Sequence, residues 1–269
     1  MTHPLSLAAL TVLELSPPEM ITCAEAAGYS HVGLRLLPAT DAEPKWPVVG
    51  DTAMVRELEL RLAGTGVRTL DIEIFRLKPD TDVRDYLPAL ETGARLGAKH
   101  VLVAGNDPDA ARLAERLAAI CELGAPLGLD FNLEPMPWTD VKNLQQGARI
   151  VEVANKTNAG MLIDPIHFDR GGNVPADIAG VARERLHYAQ LCDAPAERPR
   201  DTETLLHQAR AERLMPGDGG LDLVGILRAL PSELVLSLEV PMNTLAKTVP
   251  AVERAKRIRA KTETLIARI

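Results

Sequence analysis

Gly160-Met161-Leu162-Ile163-Asp164-Pro165-Ile166-His167 is an apolar run that ends abruptly in a carboxylate and a histidine. From Asn158 to Asp164 it lacks polar alternation, as expected of a parallel strand buried on both faces. Runs of the same kind lie on either side: Leu186–Asp193 and Leu234–Glu239 downstream, and Leu5–Leu10, His31–Leu36, Val67–Phe75, His100–Ala104 and Gly128–Glu134 upstream. Between them lie longer Ala/Leu/Glu/Arg segments of helical period.

The first helix starts at Ser16-Pro17-Pro18-Glu19, a cap with early prolines, and ends at Gly28. Further helices are predicted over Thr52–Leu62, Asp82–Leu96, Asp107–Leu123, Thr139–Asn155, Pro175–Ala182 and Leu221–Ala229, and from Thr244 to the C-terminus. The irregular stretch Ala194–Gly220 is expected to carry a short helix over Thr202–Arg213. Eight strand–helix units predict an α/β protein, a (β/α)8 TIM barrel forming one domain over residues 1–269. No GxGxxG follows the first strand, which disfavours an open doubly wound sheet.

Hydrophobic residues make up 46% of the 269 residues but aromatics only 3%, so the core must be aliphatic. The formal net charge of −7 argues against nucleic acid as a partner, because phosphate backbones select basic surfaces. No stretch reaches the length of a membrane span, and the N-terminus does not read as a signal peptide. Cys23, Cys121 and Cys192 are far apart, odd in number and without zinc-ligand spacing, so reduced thiols and a cytoplasmic protein are expected. A small-molecule substrate is the expected partner, and a homodimer is an open expectation.

Catalytic groups of βα barrels sit at the C-terminal ends of strands. Four successive strands carry an oxygen donor near that end: Glu134, Asp164, Gln190 and Glu239. A single such residue is usually a solvated rim group. Three carboxylates clustered in one mouth would repel and raise one another's pKa, and a divalent cation removes that conflict. An all-oxygen shell suits Mg²⁺ or Mn²⁺, with Co²⁺ and Zn²⁺ also able to accept carboxylates.

In five segments the chain resembles the xylose isomerase-like TIM barrels, the group of sugar phosphate isomerases and epimerases. These are Phe131–Pro135, Gly160–Phe168, Tyr188–Ala194, Pro216–Asp222 and Leu238–Pro241. The resemblance implies metal ligation by Glu134, Asp164, Gln190 and Glu239, with Glu134 and Glu239 as the acid/base pair. Many relatives have His where Gln190 stands, and Gln there looks more like the dehydroshikimate dehydratase branch. His167, in an Asp-x-x-His pattern, is implied to touch a substrate oxygen or shuttle a proton.

Arg213, Arg76 and Arg170 are candidate substrate clamps, since arginine grips carboxylate or phosphate bidentately, and Arg213 lies beside a glycine-rich turn. Arg210 precedes it by one helical turn. Glu73 could also point into the mouth, and Trp46 or Trp138 could wall it. His31 and His100 fall at strand starts, on the stability face, and the parity of His187 points it toward the helices.

The expected chemistry is proton transfer beside a carbonyl polarised by the cation, through an enediolate. A small sugar, sugar phosphate or polyhydroxylated ketone would be isomerised or epimerised. Dehydration of a cyclic polyhydroxy ketone of 3-dehydroshikimate or inosose type is the alternative, and a non-catalytic ligand-binding barrel is a third. A DNA-repair endonuclease would need several strand-end histidines that the chain lacks.

Overall fold

Eight strands account for the eight apolar runs: β1 Leu5–Leu7, β2 His31–Arg35, β3 Arg68–Leu77, β4 His100–Gly105, β5 Asp130–Glu134, β6 Ala159–Ile163, β7 Leu186–Leu191 and β8 Leu236–Leu238. A computed structural model describes residues 3–269, and in it every neighbouring pair is parallel and β8 pairs back onto β1 to close the barrel.

The helices are α1 Pro17–Ala27, α2 Ala53–Gly64, α3 Leu87–Arg95, α4 Ala110–Gly124, α5 Leu144–Ala154, α6 Pro165–Arg170, α7 Thr202–Arg210, α8 Leu223–Ala229, α9 Asn243–Ala246 and α10 Ala251–Ile266. α1 opens as expected: Glu19 accepts from the Ser16 backbone N–H at 2.8 Å, and Gly28 closes it at φ 80°, a left-handed conformation that suits glycine.

Two cores follow from strand periodicity. Residues of one parity, such as Phe131 and Leu133, face the surrounding helices. The other parity fills the barrel with Leu70, Ile74, Leu102, Ala104, Leu162 and Tyr188. This inner apolar layer supports the polar residues above it at the mouth.

Several boundaries differ from the sequence-based expectation for local reasons. Strand one stops at Leu7, and Ala9–Val12 turns as a 3-10 helix. α5 begins only at Leu144, because the Asn143 side chain caps it by accepting from Gln146 N. The final helix splits into α9 and α10, since Pro250 has no N–H to continue a ladder. Pro175–Gly180 is a 3-10 helix, and an unforeseen short helix, α6, starts on Asp164, whose carboxylate caps Ile166 N at 3.0 Å.

The largest difference lies after α7, which ends at Arg210 rather than reaching Arg213. Residues 212–214 are extended instead, bridging Asp193 through Leu214 and Met242 through Glu212. The glycine-rich turn that follows wraps the protein's own carboxylate: Asp193 accepts from the backbone N–H groups of Gly217, Gly219 and Leu221 at 2.9 to 3.1 Å. A Cβ on Gly219 would lie 2.3 Å from Asp193 Oδ1, so this position requires glycine.

His187 does not face the helices. The β6–β7 register shifts between the Met161–Leu186 and Ile163–Ala189 pairs, and the imidazole Nδ1 lies 2.8 Å from Asn132 Oδ1.

His31, at the start of β2, is buried, and burial with the nearby Arg68 lowers its pKa from 6.5 to about 4. The folded chain therefore protonates it later than the unfolded chain does. Its contribution to stability is complete above pH 6.5 and is lost as the pH falls through 4, by at most about 3 kcal/mol. Chemical denaturation with chelator present, followed between pH 7 and 4, is expected to show a shallower acid decline for His31→Asn than for wild type. Parallel declines would show that His31 does not control it.

Candidate active site

The strand-end residues converge at the barrel mouth. Glu134 ends β5, Asp164 follows β6, Gln190 lies in β7 and Glu239 follows β8, and all four are buried. Glu134 Oε1 and Gln190 Oε1 are buried and make no hydrogen bond. An orphaned acceptor of this kind costs about 1–3 kcal/mol unless something satisfies it. Two such oxygens beside two further carboxylates fit a hard divalent cation.

Burial, reinforced by Glu239 and Asp164, holds the Glu134 carboxyl well above the usual range. Burial also raises Glu239 to about 7, despite Arg213 pulling it down. Asp164 is buried too, but Arg213 and His167 outweigh that burial and hold its pKa below the ordinary value.

Arg213 is not a free clamp. Its Nη1 lies 2.6 Å from Asp164 Oδ2 and its Nη2 lies 2.7 Å from Glu239 Oε2, with the side chain 1% exposed. Its Nε donates to the Ala209 carbonyl at 2.7 Å. The extended segment after α7 carries the side chain inward, so Arg213 braces two expected ligands.

His167 lies on α6 with Nε2 3.8 Å from Glu134 Oε1 and 3.7 Å from Asp164 Oδ2. One donor atom from each of Glu134, Asp164 and His167 falls within 4.8 Å of the other two. Burial lowers the His167 pKa to about 4, which leaves a neutral ring near pH 7. The ring stands edge-on to Trp138, centroids 4.8 Å apart.

A cavity of about 320 Å³ opens over these groups, and Glu134, His167, Arg213 and Glu239 line it. Arg35, Arg76 and Arg210 line it as well. Arg35 is compensated by Glu43 at 2.9 Å and Glu73 at 3.3 Å. Arg76 bonds only the neutral Asn106 Oδ1, at 3.0 Å, and Arg210 lies over the Trp138 ring at 5.4 Å. Among the described residues neither has a carboxylate within salt-bridge distance. Burial depresses the pKa of both, with Arg35 adding to the effect on each.

The third expected clamp, Arg170, is elsewhere. It donates to Gln208 Oε1 at 3.1 Å and to the Pro195 carbonyl at 2.6 Å, and it does not line the cavity. α6 turns its side chain back toward the long loop after β7. Trp138 lines the cavity and Trp46 does not. Glu73 does face the mouth, beside Arg35. The sequence signal for Arg35 is a charge closing the apolar strand β2, as Glu134 closes β5.

The family model for xylose isomerase-like TIM barrels matches residues 22–265. The chain belongs to that family. Among relatives of this xylose isomerase-like barrel, a 3-dehydroshikimate dehydratase of Pseudomonas aeruginosa is 31% identical over 138 residues, 49% of this chain and 21% of that protein. The match thus spans about a fifth of that relative's length. Solved structures share the fold. The IOLI protein with a binding zinc atom superposes with TM-score 0.81 at 20% identity, covering 98% of each chain. An L-ribulose 3-epimerase superposes at 0.70 and 18% identity, covering 98% of this chain and 94% of that one. Among the described residues, no helix is long and apolar enough to cross a membrane.

Proposed function

We propose that this xylose isomerase-like barrel is a divalent-metal-dependent enzyme that removes a proton beside the ketone of an anionic, polyhydroxylated substrate. Dehydration of a cyclic keto acid of the 3-dehydroshikimate type is the reading best supported. The observation that carries it is the pair Arg76 and Arg210, two cations without carboxylate partners facing the same cavity as Glu134, His167 and Glu239. Uncompensated guanidinium groups in a half-buried cleft call for an anion.

Glu134, Asp164, Gln190 and Glu239 would hold the ion, with Mn²⁺, Mg²⁺, Co²⁺ or Zn²⁺ compatible with their oxygens. When bound it supplies Lewis acidity that makes the C–H beside a carbonyl easier to ionise. Glu134, which lines the cavity beside Glu239 and His167, takes the proton. His167 Nε2 accepts a hydrogen bond from a substrate hydroxyl and relays the proton. The β-hydroxyl leaves with a returned proton as water, and the bond left behind is a C=C. Arg76 and Arg210 hold the carboxylate, and Trp138 closes one wall.

Isomerisation or epimerisation is the second reading, favoured by the presence of two carboxylates, Glu134 and Glu239, lining one cavity from strands five and eight. The 3-dehydroshikimate dehydratase relative and the zinc-containing structural neighbour support the metal and the keto-acid reading.

The test is turnover with each metal. 3-Dehydroshikimate is expected to lose water to an aromatic dihydroxybenzoate, read by its ultraviolet absorbance. Arg76→Ala is expected to raise KM for the keto acid at least 10-fold while changing kcat less. Turnover of neutral ketoses with none of the keto acid would turn the assignment to epimerase, and unchanged KM in Arg76→Ala would remove the clamp.

A further inference from the structure

The opposite end of the barrel carries a second cluster of metal-ligating side chains. His100 and Asp130 are the first residues of β4 and β5, paired directly across the ladder, and His187 is the second residue of β7. Asp130 and Glu134 bracket β5, so this cluster lies about 13 Å below the mouth at roughly 3.3 Å per residue. One donor atom from each of His100, Asp130 and His187 falls within 4.8 Å of the other two. We propose that His100, Asp130 and His187 form a transition-metal site on the N-terminal floor of the barrel, separate from the mouth and selective for a nitrogen-preferring ion such as Zn²⁺, Co²⁺ or Ni²⁺.

Three observations carry this. His100 Nδ1 is buried and has no hydrogen-bond partner, although the ring is 14% exposed and so reachable from the floor. It lies 3.6 Å from Asp130 Oδ2, near the roughly 3.3 Å edge of a tetrahedral shell with ligand bonds of about 2.0–2.1 Å. Asp130 has no Lys or Arg within salt-bridge distance among the described residues, and His100 is its partner there. A carboxylate facing two imidazoles therefore lacks a permanent cation.

The third ligand is placed by packing. The His187 ring crosses over Gly160, where a Cβ would stand 2.6 Å from Nδ1, and Asn132 Oδ1 holds that nitrogen at 2.8 Å. The register shift in β7 turns the ring inward at this level. The His100 and His187 rings lie 5.9 Å apart with planes within 7°. Two nitrogens and one oxygen favour Zn²⁺, Co²⁺ or Ni²⁺ over Mg²⁺, whereas the oxygen set at the mouth accepts either. Water completes the shell. The ion would tie β4, β5 and β7 together.

The inference does not depend on the activity assigned to the mouth. The experiment is titration of the whole chain with Co²⁺ and Zn²⁺, reading stoichiometry by calorimetry and the Co²⁺ visible spectrum. Wild type is expected to bind two equivalents. The double variant His100→Ala/His187→Ala should bind one, and Glu134→Gln/Glu239→Gln should bind the other one. In the latter background Zn²⁺ should still raise Tm, and adding Asp130→Asn, a near-isosteric change at the partly exposed ligand, should abolish that shift without unfolding the protein. Floor variants that bind as many equivalents as wild type overturn the site. Failure of the mouth site looks different: wild type then binds one equivalent, and the floor variants lose it.

Discussion

Glu134→Gln is expected to lower kcat by about 10²–10⁴-fold, the range lost with a general base, while the barrel stays folded. Two features of the site make the effect large. The carboxyl is buried with an unbonded Oε1 facing His167, so the amide removes a base and the negative charge of a metal-facing group together. Its pKa is raised by burial and by Glu239 and Asp164, so the wild-type charge is already disfavoured in the folded state without a cation. A raised carboxyl pKa stabilises the fold below the unfolded value and loses that contribution as the pH rises. The neutral glutamine should therefore be at least as stable as wild type at pH 8 in chelator. Steady-state kinetics and thermal melts on the same sample check both halves. Activity within 10-fold of wild type would assign the base to Glu239.

Arg213→Met is expected to cost about 3–5 kcal/mol in the metal-free protein, the penalty for stripping one partner from buried ion pairs. Arg213 compensates Asp164 and Glu239 at once, through bonds of 2.6 and 2.7 Å, so its loss leaves two buried carboxylates uncovered. Three carboxylates at the mouth balance one divalent ion plus Arg213. Without the arginine, an added cation should recover much of the lost stability. Urea unfolding with chelator and with Mn²⁺ or Zn²⁺ measures the difference. A small loss, equal in both conditions, would show that Arg213 is a packing residue rather than part of the charge balance. An Arg213→Lys variant should restore one arm of the bridge and only part of the stability.

The strand rhythm, the eight units and the four strand-end donors Glu134, Asp164, Gln190 and Glu239 were all legible in the chain, because each depends on neighbours within a few residues. A buried parallel strand must be continuously apolar, and a polar residue at its end stands out against that run. His167 was legible for the same reason, three residues beyond Asp164. Helix ends were less so: α5, α6 and α9 are decided by the caps Asn143 and Asp164 and by Pro250, each of which competes with a longer helical pattern.

Only the tertiary structure decided which charges meet. Arg213 and Asp164 lie 49 positions apart, and their bond exists because the chain leaves α7 early and runs extended between Asp193 and Pro241. Arg170 and Arg76 look alike as isolated arginines; α6 turns the first toward Pro195, and β3 delivers the second into the cleft. His187 faces the barrel because a register shift overrides the period of two. Local periodicity determines the elements and which ends are polar. The direction of a long charged side chain depends on loop paths and ladder register, which are set by contacts between residues remote in sequence.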